Sequence, residues 1–154
     1  MPIKGLASLN RKLKRLPDLA RQEIAAAMES VADQVVALAK SLAPVRDGDL
    51  QRSIAWTYGD APTGAIVLGK VKGRRREGSL AITIYAGNDQ AFYARWIEFG
   101  TSPHTNAGLY AGSEHPGTAA QPFFYPAWRA SRKSAKSRIS RAINKSAKRA
   151  AAGG

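Results

Sequence analysis

Residues 24–42, IAAAMESVADQVVALAKSL, decide the architecture of this 154-residue chain. Apolar side chains recur at steps of four and three residues along the segment, which is the spacing of one face of an α-helix. This apolar seam consists of Ile24, Met28, Val31, Val35, Leu38 and Leu42. Three heptads are too few to require a coiled coil, so we expect the seam to pack against a sheet within the same domain.

Two prolines bound the helix that carries the seam. Pro44 ends it, because the residue before a proline is disfavoured in the α region. Pro17 separates it from a short amphipathic helix at residues 1–16, where leucines also recur at helical spacing. We therefore predict a short N-terminal helix followed by one of about 25 residues.

The middle of the chain has the patterns of β-strands. Residues 53–58 and 65–71 flank a turn-rich Gly-Asp-Ala-Pro-Thr-Gly segment, which predicts a hairpin between them. In residues 80–85 large aliphatic side chains alternate with other types, as in a half-buried strand. The basic stretch at 70–77 then joins the second and third strands as a long, exposed hairpin tip.

Two segments of weaker pattern follow the strands. Residues 91–99 fit either a helix or a strand. Tyr93, Trp96 and Ile97 would share one helical face, so we favour a short helix. Residues 101–121 contain three glycines, two prolines and little periodicity, which indicates a long loop. A loop of that length in a compact domain usually has a function or becomes ordered on binding.

The C-terminal part predicts a basic helix. Residues 122–125 form a short apolar strand or turn, and Pro126 suits the first turn of the helix that follows. The sequence thus predicts a single α+β domain, with an α+β core at 17–126 and a basic helix with a frayed tail at 127–154. Its long N-terminal helix and basic C-terminal helix pack on a small antiparallel sheet of three or four strands.

Composition restricts the classes of protein that need consideration. Apolar residues make up 44% and charged residues 23% of the chain, as in an ordinary folded domain. No run of about 18 apolar residues predicts a membrane span, and the N-terminus lacks the pattern of a secretory signal, so no membrane partner is expected. The absence of cysteine excludes disulfides and thiolate sites, and it fits assembly in a reducing cytoplasm.

The net charge of +13 is concentrated in two places. After Ala127 there are nine basic residues and no acid, namely Arg129, Arg132, Lys133, Lys136, Arg138, Arg141, Lys145, Lys148 and Arg149. A second cluster holds Lys70, Lys72, Arg74, Arg75 and Arg76. Local positive charge on this scale indicates contact with a polyanion such as DNA, or with an acidic protein surface.

Patterns that would carry catalysis or bind a metal are weak. His104 and His115 lie in the same glycine-containing loop, beside Thr105 and Glu114 respectively. A metal hydrolase using His104, Glu114 and His115 is the enzymatic alternative, but ordinary loop histidines are the more frequent case. We therefore expect no enzymatic activity, no cofactor and no bound metal.

Acidic residues at two places have structural interpretations. Asp47 or Asp49 can cap the turn that leads into the first strand, and Gly48 between them is expected to take a positive φ. Glu98 stands among large apolar residues, where a carboxylate is costly unless it is paired. The expected partners of Glu98 in an ion pair are Arg52 and Arg95.

Three blocks of the sequence, in order and at similar spacing, resemble the HK97 gp10-like family of phage tail-completion and neck proteins. They are APVRDGDLQRSI at 43–54, YARWIEFGT at 93–101 and QPFFYPAW at 121–128. The family-motif positions are Pro44, Gly48, Leu50, Ser53, Ile54, Tyr93, Glu98, Phe99, Gly100, Thr101, Pro122, Phe123, Pro126 and Ala127. The chain departs from the family pattern at Arg46-Asp47, where Asp-Thr is usual, and in its longer basic tail.

The resemblance implies a virion protein at the head–tail junction, assembled in the bacterial host cytoplasm, that completes the tail or forms part of the neck. Copies are expected to close into a ring, a hexamer matching the tail tube, beside tail-terminator, tail-tube or connector proteins. The loop at 101–121 and the tip at 70–77 would reach neighbouring subunits. The basic helix would face DNA in the channel, without sequence preference, or an acidic partner. The alternative is a basic DNA-binding accessory protein.

Overall fold

The computed structural model describes residues 18–68 and 80–152. Two predicted features lie outside these residues, namely the short helix at 1–16 and the basic hairpin tip at 70–77. The cluster of Lys70, Lys72, Arg74, Arg75 and Arg76 therefore lies outside them as well. The fold class is confirmed, because the chain combines two long helices with a small antiparallel sheet.

The long N-terminal helix, α1, spans Asp18–Leu42 and has the predicted length of 25 residues. Asp18 stands in its first turn and Lys40 in its last, where each charge complements the helix dipole. The helix ends two residues before Pro44, as predicted. A four-residue helix, α2 (Asp49–Arg52), follows.

Near the C-terminal end of α1, the buried residues no longer coincide with the predicted seam. Ile24, Val31 and Val35 are buried as expected, but Leu42 is exposed. Burial continues instead through alanines, at Ala39 and Ala43. A seven-residue repeat on a straight helix rotates by about 20° per heptad, so the last members of a strict seam turn out of the interface.

The principal packing partner of α1 is the basic C-terminal helix, α4, which spans Phe124–Ala152. The two helices run antiparallel, because Arg138 donates to the Ser30 hydroxyl at 2.9 Å while Ser146 donates to Glu23 at 3.0 Å. We predicted that the seam would pack on a sheet, and this is only partly right. The sheet contacts α1 mainly through one edge strand, and the contact between α1 and α4 is more extensive.

The main sheet has three antiparallel strands in the order β1-β3-β2. They are β1 (Ala55–Thr57), β2 (Ile66–Val67) and β3 (Thr83–Ala86). The predicted hairpin between the first two strands is wrong, because β3 lies between them, with Trp56 opposite Ile84 and Val67 opposite Tyr85. The central strand is the one that buries alternate residues, Ile84 and Ala86, against the helices.

The remaining elements connect the sheet to α4. Helix α3 (Ala94–Phe99) confirms the short helix favoured at 91–99. A second, two-stranded sheet pairs β4 (His104–Thr105) with β5 (Glu114–His115), and a 3₁₀ turn at Gly108–Tyr110 lies between them. Within the described ranges, no helix has the length and apolar character needed to cross a membrane.

Polar contacts attach β1 and the residue that follows it to the outer surface of α1. The Trp56 indole donates to Asp33 at 2.7 Å, and the Tyr58 hydroxyl donates to Glu29. Burial, followed by the hydrogen bond to Glu29 and the negative charge of Glu29, raises the pKa of Tyr58 to about 12. Both contacts hold the sheet in place beside the helix.

The raised pKa of Tyr58 gives a prediction for alkaline conditions. The neutral phenol is favoured in the folded chain, so its contribution to stability is complete below pH 10 and is lost as the pH rises toward 12. In an ultraviolet titration of the phenolate absorbance we expect a component near pH 12 that disappears in Tyr58→Phe and moves toward 10 in Glu29→Gln. Asp33→Asn, on the same helix, is the matched control. If the component near pH 12 were unchanged in Glu29→Gln, Glu29 would not be a cause of the raised pKa of Tyr58.

Candidate functional site

The first motif block forms a turn that is attached to the sheet. Gly48 has a φ of +78°, so the predicted positive φ is confirmed. Leu50, Ser53 and Ile54 are buried. The Ser53 hydroxyl donates to the Leu50 carbonyl at 2.7 Å and accepts from the Gly87 amide at 3.1 Å, which ties the turn to the end of β3.

The aspartates of this block do not cap the turn. The residue at the N-cap position of α2 is Gly48, and no side-chain cap is formed there. Asp49 instead forms an ion pair with Arg52, which also donates to the Asp47 carbonyl at 3.1 Å. The predicted caps are therefore wrong, because the arginine competes for the aspartate that would have accepted from the backbone.

The second and third blocks meet at Glu98, a residue that is only 3% exposed. One carboxylate oxygen accepts from the backbone amides of Phe123 and Phe124, at 2.8 and 2.9 Å. The other accepts from the amide of Tyr125 at 3.0 Å. These three amides begin α4, so the carboxylate caps a helix that starts 26 residues further along the chain.

The predicted ion pair of Glu98 with Arg52 or Arg95 is wrong, since no ion pair joins these described residues. The first amides of a helix have no partner within it, and the positive end of the helix dipole favours a negative charge. The sequence does contain a signal for this contact. The segment Gln121-Pro122-Phe123 before α4 offers no Ser, Thr, Asp or Asn as a local cap, so the acceptor has to come from elsewhere.

Gly100 directs the chain from α3 into the next segment. Its φ of +70° and ψ of −178° define a conformation that residues with a side chain avoid. A Cβ there would lie 2.6 Å from the Thr118 carbonyl oxygen and 2.9 Å from the Ala120 nitrogen. The motif glycine is thus required by a close approach of backbone to backbone.

For Gly100→Ala we expect a loss of about 2 kcal/mol or more in the free energy of unfolding, from the forbidden φ together with the clash. Thermal unfolding followed by circular dichroism measures it. Gly108→Ala is the matched control, because that glycine also has a positive φ but has no atom near the added Cβ. Equal melting temperatures of the two variants would show that the close backbone contact at Gly100 does not add to the loss of stability.

The segment at 101–121, predicted as a long loop, is a β-hairpin that projects from the domain. Thr101 and Thr118 exchange backbone hydrogen bonds at its base, and β4 and β5 pair above them. Gly117 has a φ of +86°, and a Cβ there would lie 2.4 Å from the Thr101 carbonyl oxygen. Most residues of the hairpin are exposed, so it adds little to the core.

The end of the hairpin presents two large apolar side chains to solvent. Leu109 is 92% exposed and Tyr110 is 71% exposed, and together they are called the tip below. The turn that carries them is closed by Asn106 and Ser113, whose side chains are joined at 3.0 Å. The predictions named the loop but did not single out these two residues. A Leu-Tyr pair between glycines in a polar segment was the available signal.

The two histidines of the hairpin face each other across β4 and β5. Their rings stack with centroids 4.9 Å apart. His104 donates through Nδ1 to the Ser102 carbonyl at 2.8 Å, whereas Nδ1 of His115 accepts from the Gly117 amide at 3.0 Å. A neutral His115 with this bond carries its proton on Nε2, which leaves that nitrogen unable to bind a metal.

Glu114 does not complete a site with these histidines. Successive side chains of a strand point to opposite faces, so Glu114 and Thr105 lie on the other face of the hairpin from the histidine pair. In the described part of the chain, no three His, Asp or Glu side chains are grouped so that they could hold a metal ion. The geometry assigns the histidine pair a structural contact between the two strands.

Three aromatic side chains on and beside α3, called the aromatic face below, are about half exposed. They are Phe92, Trp96 and Phe99, spaced by four and three residues as on one face of a helix. Phe92 and Trp96 meet edge to face with centroids 5.5 Å apart, and Phe99 lies 5.7 Å from the ring of Tyr125. Exposed aromatic groups of this kind mark contact surfaces.

The basic residues of α4 fall into two groups with different environments. Arg138 binds Ser30 and Gln34, and Arg149 pairs with Glu23, so both are used within the domain. The others are exposed, and they are Arg129, Arg132, Lys133, Lys136, Arg141, Lys145 and Lys148. Of the nine basic residues predicted to contact a partner, seven therefore remain available on the solvent side of the helix.

Four of these exposed residues form a compact patch, called the basic face below. Arg132, Lys133 and Lys136 follow Arg129 by three, four and seven residues, which places all four on one side of the first half of α4. None of the four makes a hydrogen bond or an ion pair with another described residue. Arg141, by contrast, donates to the carbonyl of Ser137 in its own helix.

A comparison with protein-family models matches residues 7–100 of the chain to the family described as "Bacteriophage HK97-gp10, putative tail-component". The match covers more than half of the 154 residues and includes the first two motif blocks up to Gly100. The third block lies beyond it, but Glu98 joins that block physically to the matched region. Comparisons with curated proteins and with solved structures found no match.

Proposed function

The chain belongs to the bacteriophage HK97-gp10 family of tail components, and from this premise we propose that it completes the tail or forms part of the neck. In this proposal the protein acts by assembly, as copies that close into a ring at the head–tail junction of the virion. Heterologous contacts between identical subunits close into such rings when the rotation between neighbours permits it. A hexamer would match a sixfold tail tube.

The observation that carries the proposal is the hairpin at 101–118. An exposed element with large apolar side chains at its end adds little to the stability of its own domain, and contiguous exposed apolar groups on soluble proteins mark contact sites. Adjoining tail-terminator, tail-tube or connector proteins are the expected neighbours along the axis. The basic face would then line the channel toward DNA or contact an acidic adjoining ring.

The test compares assembly in solution with assembly in the particle. We expect the mass under native conditions to shift from monomer to a closed oligomer, alone or when tail proteins are added. A phage that lacks the gene should accumulate separate heads and tails, and supplying the chain in trans should restore joined particles. Joined, infectious particles that form without the chain would contradict the proposal.

The exposed basic residues of α4 support a second candidate, a DNA-binding accessory protein. Lys and Arg side chains that neutralise phosphates release counterions, so binding weakens steeply as salt rises. Tight binding of random duplex DNA by the isolated monomer, with such salt dependence, would favour this candidate. Weak DNA binding by the monomer, together with incorporation of the chain into particles, would favour the role as a tail component.

We also propose that the protein has no catalytic role and needs no cofactor. The alternative of a metal hydrolase using His104, Glu114 and His115 is opposed by the bond that occupies His115 and by the position of Glu114 on the opposite face. Replacing both histidines by asparagine should leave the formation of infectious particles unchanged. A loss of infectivity with normal particle assembly would support the hydrolase.

A further inference from the structure

We propose that α4 crosses the major groove of duplex DNA and that its exposed basic residues bind the two phosphate backbones that border the groove. The basic face would bind one backbone. The other would be bound by three exposed residues in the second half of the helix, called the distal basic group below, namely Arg141, Lys145 and Lys148. The inference deepens the proposed function by naming the partner of α4, and it rests on that function for the place where DNA is met.

The positive charge of α4 is not neutralised within the domain. The helix has nine basic residues and no acid after Ala127. On the adjoining helix α1, Glu23 pairs with Arg149, whereas Glu29 and Asp33 accept hydrogen bonds from aromatic side chains of β1 and the residue that follows it. The basic face and the distal basic group therefore keep their charge for an external polyanion, which gains affinity by releasing counterions.

The exposed surface of α4 has the composition of a DNA interface rather than that of a protein interface. Protein interfaces have a core in which aromatic residues are enriched and lysine is depleted. Among the described residues, the exposed large apolar side chains, including the tip and the aromatic face, all lie outside α4. Interfaces with DNA are more polar and more positively charged. The composition therefore favours duplex DNA over an acidic protein surface as the partner of α4.

Short polar side chains occupy the side of α4 that points away from the core. Ser137 lies two residues after the buried Ala135, and Asn144 lies two residues before the buried Ser146. Two residues correspond to a rotation of about 200° around a helix, so Ser137 and Asn144 point to the opposite side from the buried residues. Both are exposed. The line along the helix through these two residues is called the outward line below.

The two basic groups lie on opposite sides of the outward line. Successive residues are rotated by about 100°. Counted from Ser137, the members of the basic face fall on one side of the line and the members of the distal basic group fall on the other. A helix that followed a single phosphate backbone would have its charges along the outward line itself. Charges on both sides of short side chains fit a helix that enters a groove between two backbones.

The dimensions of α4 fit the major groove. That groove is about 12 Å wide and admits an α-helix, whereas the minor groove, at about 6 Å, does not. The centres of the basic face and the distal basic group are about 12 residues apart, which corresponds to roughly 18 Å along the helix. Since this separation exceeds the width of the groove, the helix would cross it obliquely, with one group at each border.

The first test removes the distal basic group. Replacing its three residues by glutamine should lower the affinity for random duplex DNA about 10²-fold near 0.1 M salt. The slope of log K against log salt should fall by roughly 2–3, because each lost phosphate contact contributes about 0.9. Fluorescence anisotropy with the full chain measures both quantities. An unchanged slope would show that the distal basic group does not bind phosphates, and the proposal would fail.

The matched control removes the same number of positive charges from other parts of the described chain. It carries the substitutions Lys40→Gln, Arg46→Gln and Arg95→Gln. The net charge of this variant equals that of the distal variant, so a general electrostatic effect would weaken both equally. We expect the slope of the control to change by less than about 1. Equal losses in the two variants would overturn a contact located on α4.

A second pair of variants tests whether the outward line faces the DNA. Ser137→Glu places a negative charge on this line and should weaken duplex binding at least tenfold. Gln22→Glu adds the same charge at an exposed position of α1 and should weaken binding less than about threefold. Circular dichroism should show the same helix content for both variants. If both variants bind equally well, α4 does not meet DNA through its outward line.

Two further ligands test the groove and the class of partner. Duplex DNA whose cytosines carry glucose on a 5-hydroxymethyl group has a filled major groove and unchanged phosphates, and it should bind at least tenfold more weakly than plain duplex. Polyglutamate, at the same concentration of negative charge, represents an acidic protein surface and should also bind at least tenfold more weakly. Equal binding of the glucosylated duplex would overturn the groove, and equal or tighter binding of polyglutamate would overturn DNA as the partner.

The outcomes separate this inference from the proposed function. If the α4 variants bind DNA like the unchanged chain, while joining of heads and tails still requires the protein, the DNA contact is wrong and the tail role stands. If the variants lose DNA binding as expected, but particles join without the protein, the proposed function fails and the contact of α4 with DNA stands.

Discussion

Glu98→Ala is expected to lower the free energy of unfolding by about 3–5 kcal/mol, since it leaves the amides of Phe123 and Phe124 buried without acceptors. An unsatisfied buried donor costs about 1–3 kcal/mol, and the helix also loses the negative charge at its positive end. For a domain of this size we expect the melting temperature to fall by about 10 °C. Thermal and urea unfolding, followed by circular dichroism, measure the two quantities.

Two further variants separate the capping contact from the charge. Glu98→Gln keeps one carbonyl oxygen as an acceptor and should lose about 1–2 kcal/mol. Glu114→Ala removes an exposed glutamate of the hairpin, so its stability should stay within about 0.5 kcal/mol of the unchanged chain. If Glu98→Ala and Glu114→Ala have the same melting temperature, the hydrogen bonds from the three amides to the Glu98 carboxylate do not stabilise the fold.

The same contact explains why the second and third motif blocks occur together. The first turn of α4 places Phe123, Phe124 and Ala127 in the core, and these residues are fully buried. Without the capping carboxylate, the start of the helix would have to move toward water and withdraw those side chains. The contact of Glu98 with the start of α4 therefore gives these motif residues a role in stabilising the fold.

Local patterns were sufficient to predict the helices. The period of residues 24–42 depends on neighbours three and four positions apart, so α1 was predicted with its length and its end. The basic helix α4 was predicted as well, but its packing against α1 was not, because its buried residues include small ones such as Ala135 and Ser146. Small residues give a weak periodic signal even where they are buried.

The order of the strands and the hairpin could not be derived in the same way. The central position of β3 is set by pairing with β1 and β2 on both sides, which depends on contacts distant in sequence. β4 and β5 are two residues long, too short for an alternating pattern, and the base of the hairpin is held by backbone groups that any residue has. The sequence pattern thus predicted a long loop at this position and did not predict its hairpin shape.

Replacing all four residues of the basic face by glutamine is expected to lower the affinity for random duplex DNA about 10³-fold near 0.1 M salt. Each phosphate contact contributes about 0.9 to the slope of log K against log salt, so losing four reduces the slope by roughly 3–4. The fold should be unchanged, because these side chains are exposed and make no hydrogen bond or ion pair with another described residue. Fluorescence anisotropy over a range of salt concentrations measures both the affinity and the slope.

The control for this prediction keeps the charge and changes the group that carries it. Arg129→Lys with Arg132→Lys should bind DNA as the unchanged chain does, because non-specific phosphate contact depends on charge rather than on the shape of guanidinium. If the glutamine variant retains the original slope, the basic face does not meet DNA. If it also fails to enter particles while binding DNA normally, the partner of the basic face is an acidic protein surface of the adjoining ring.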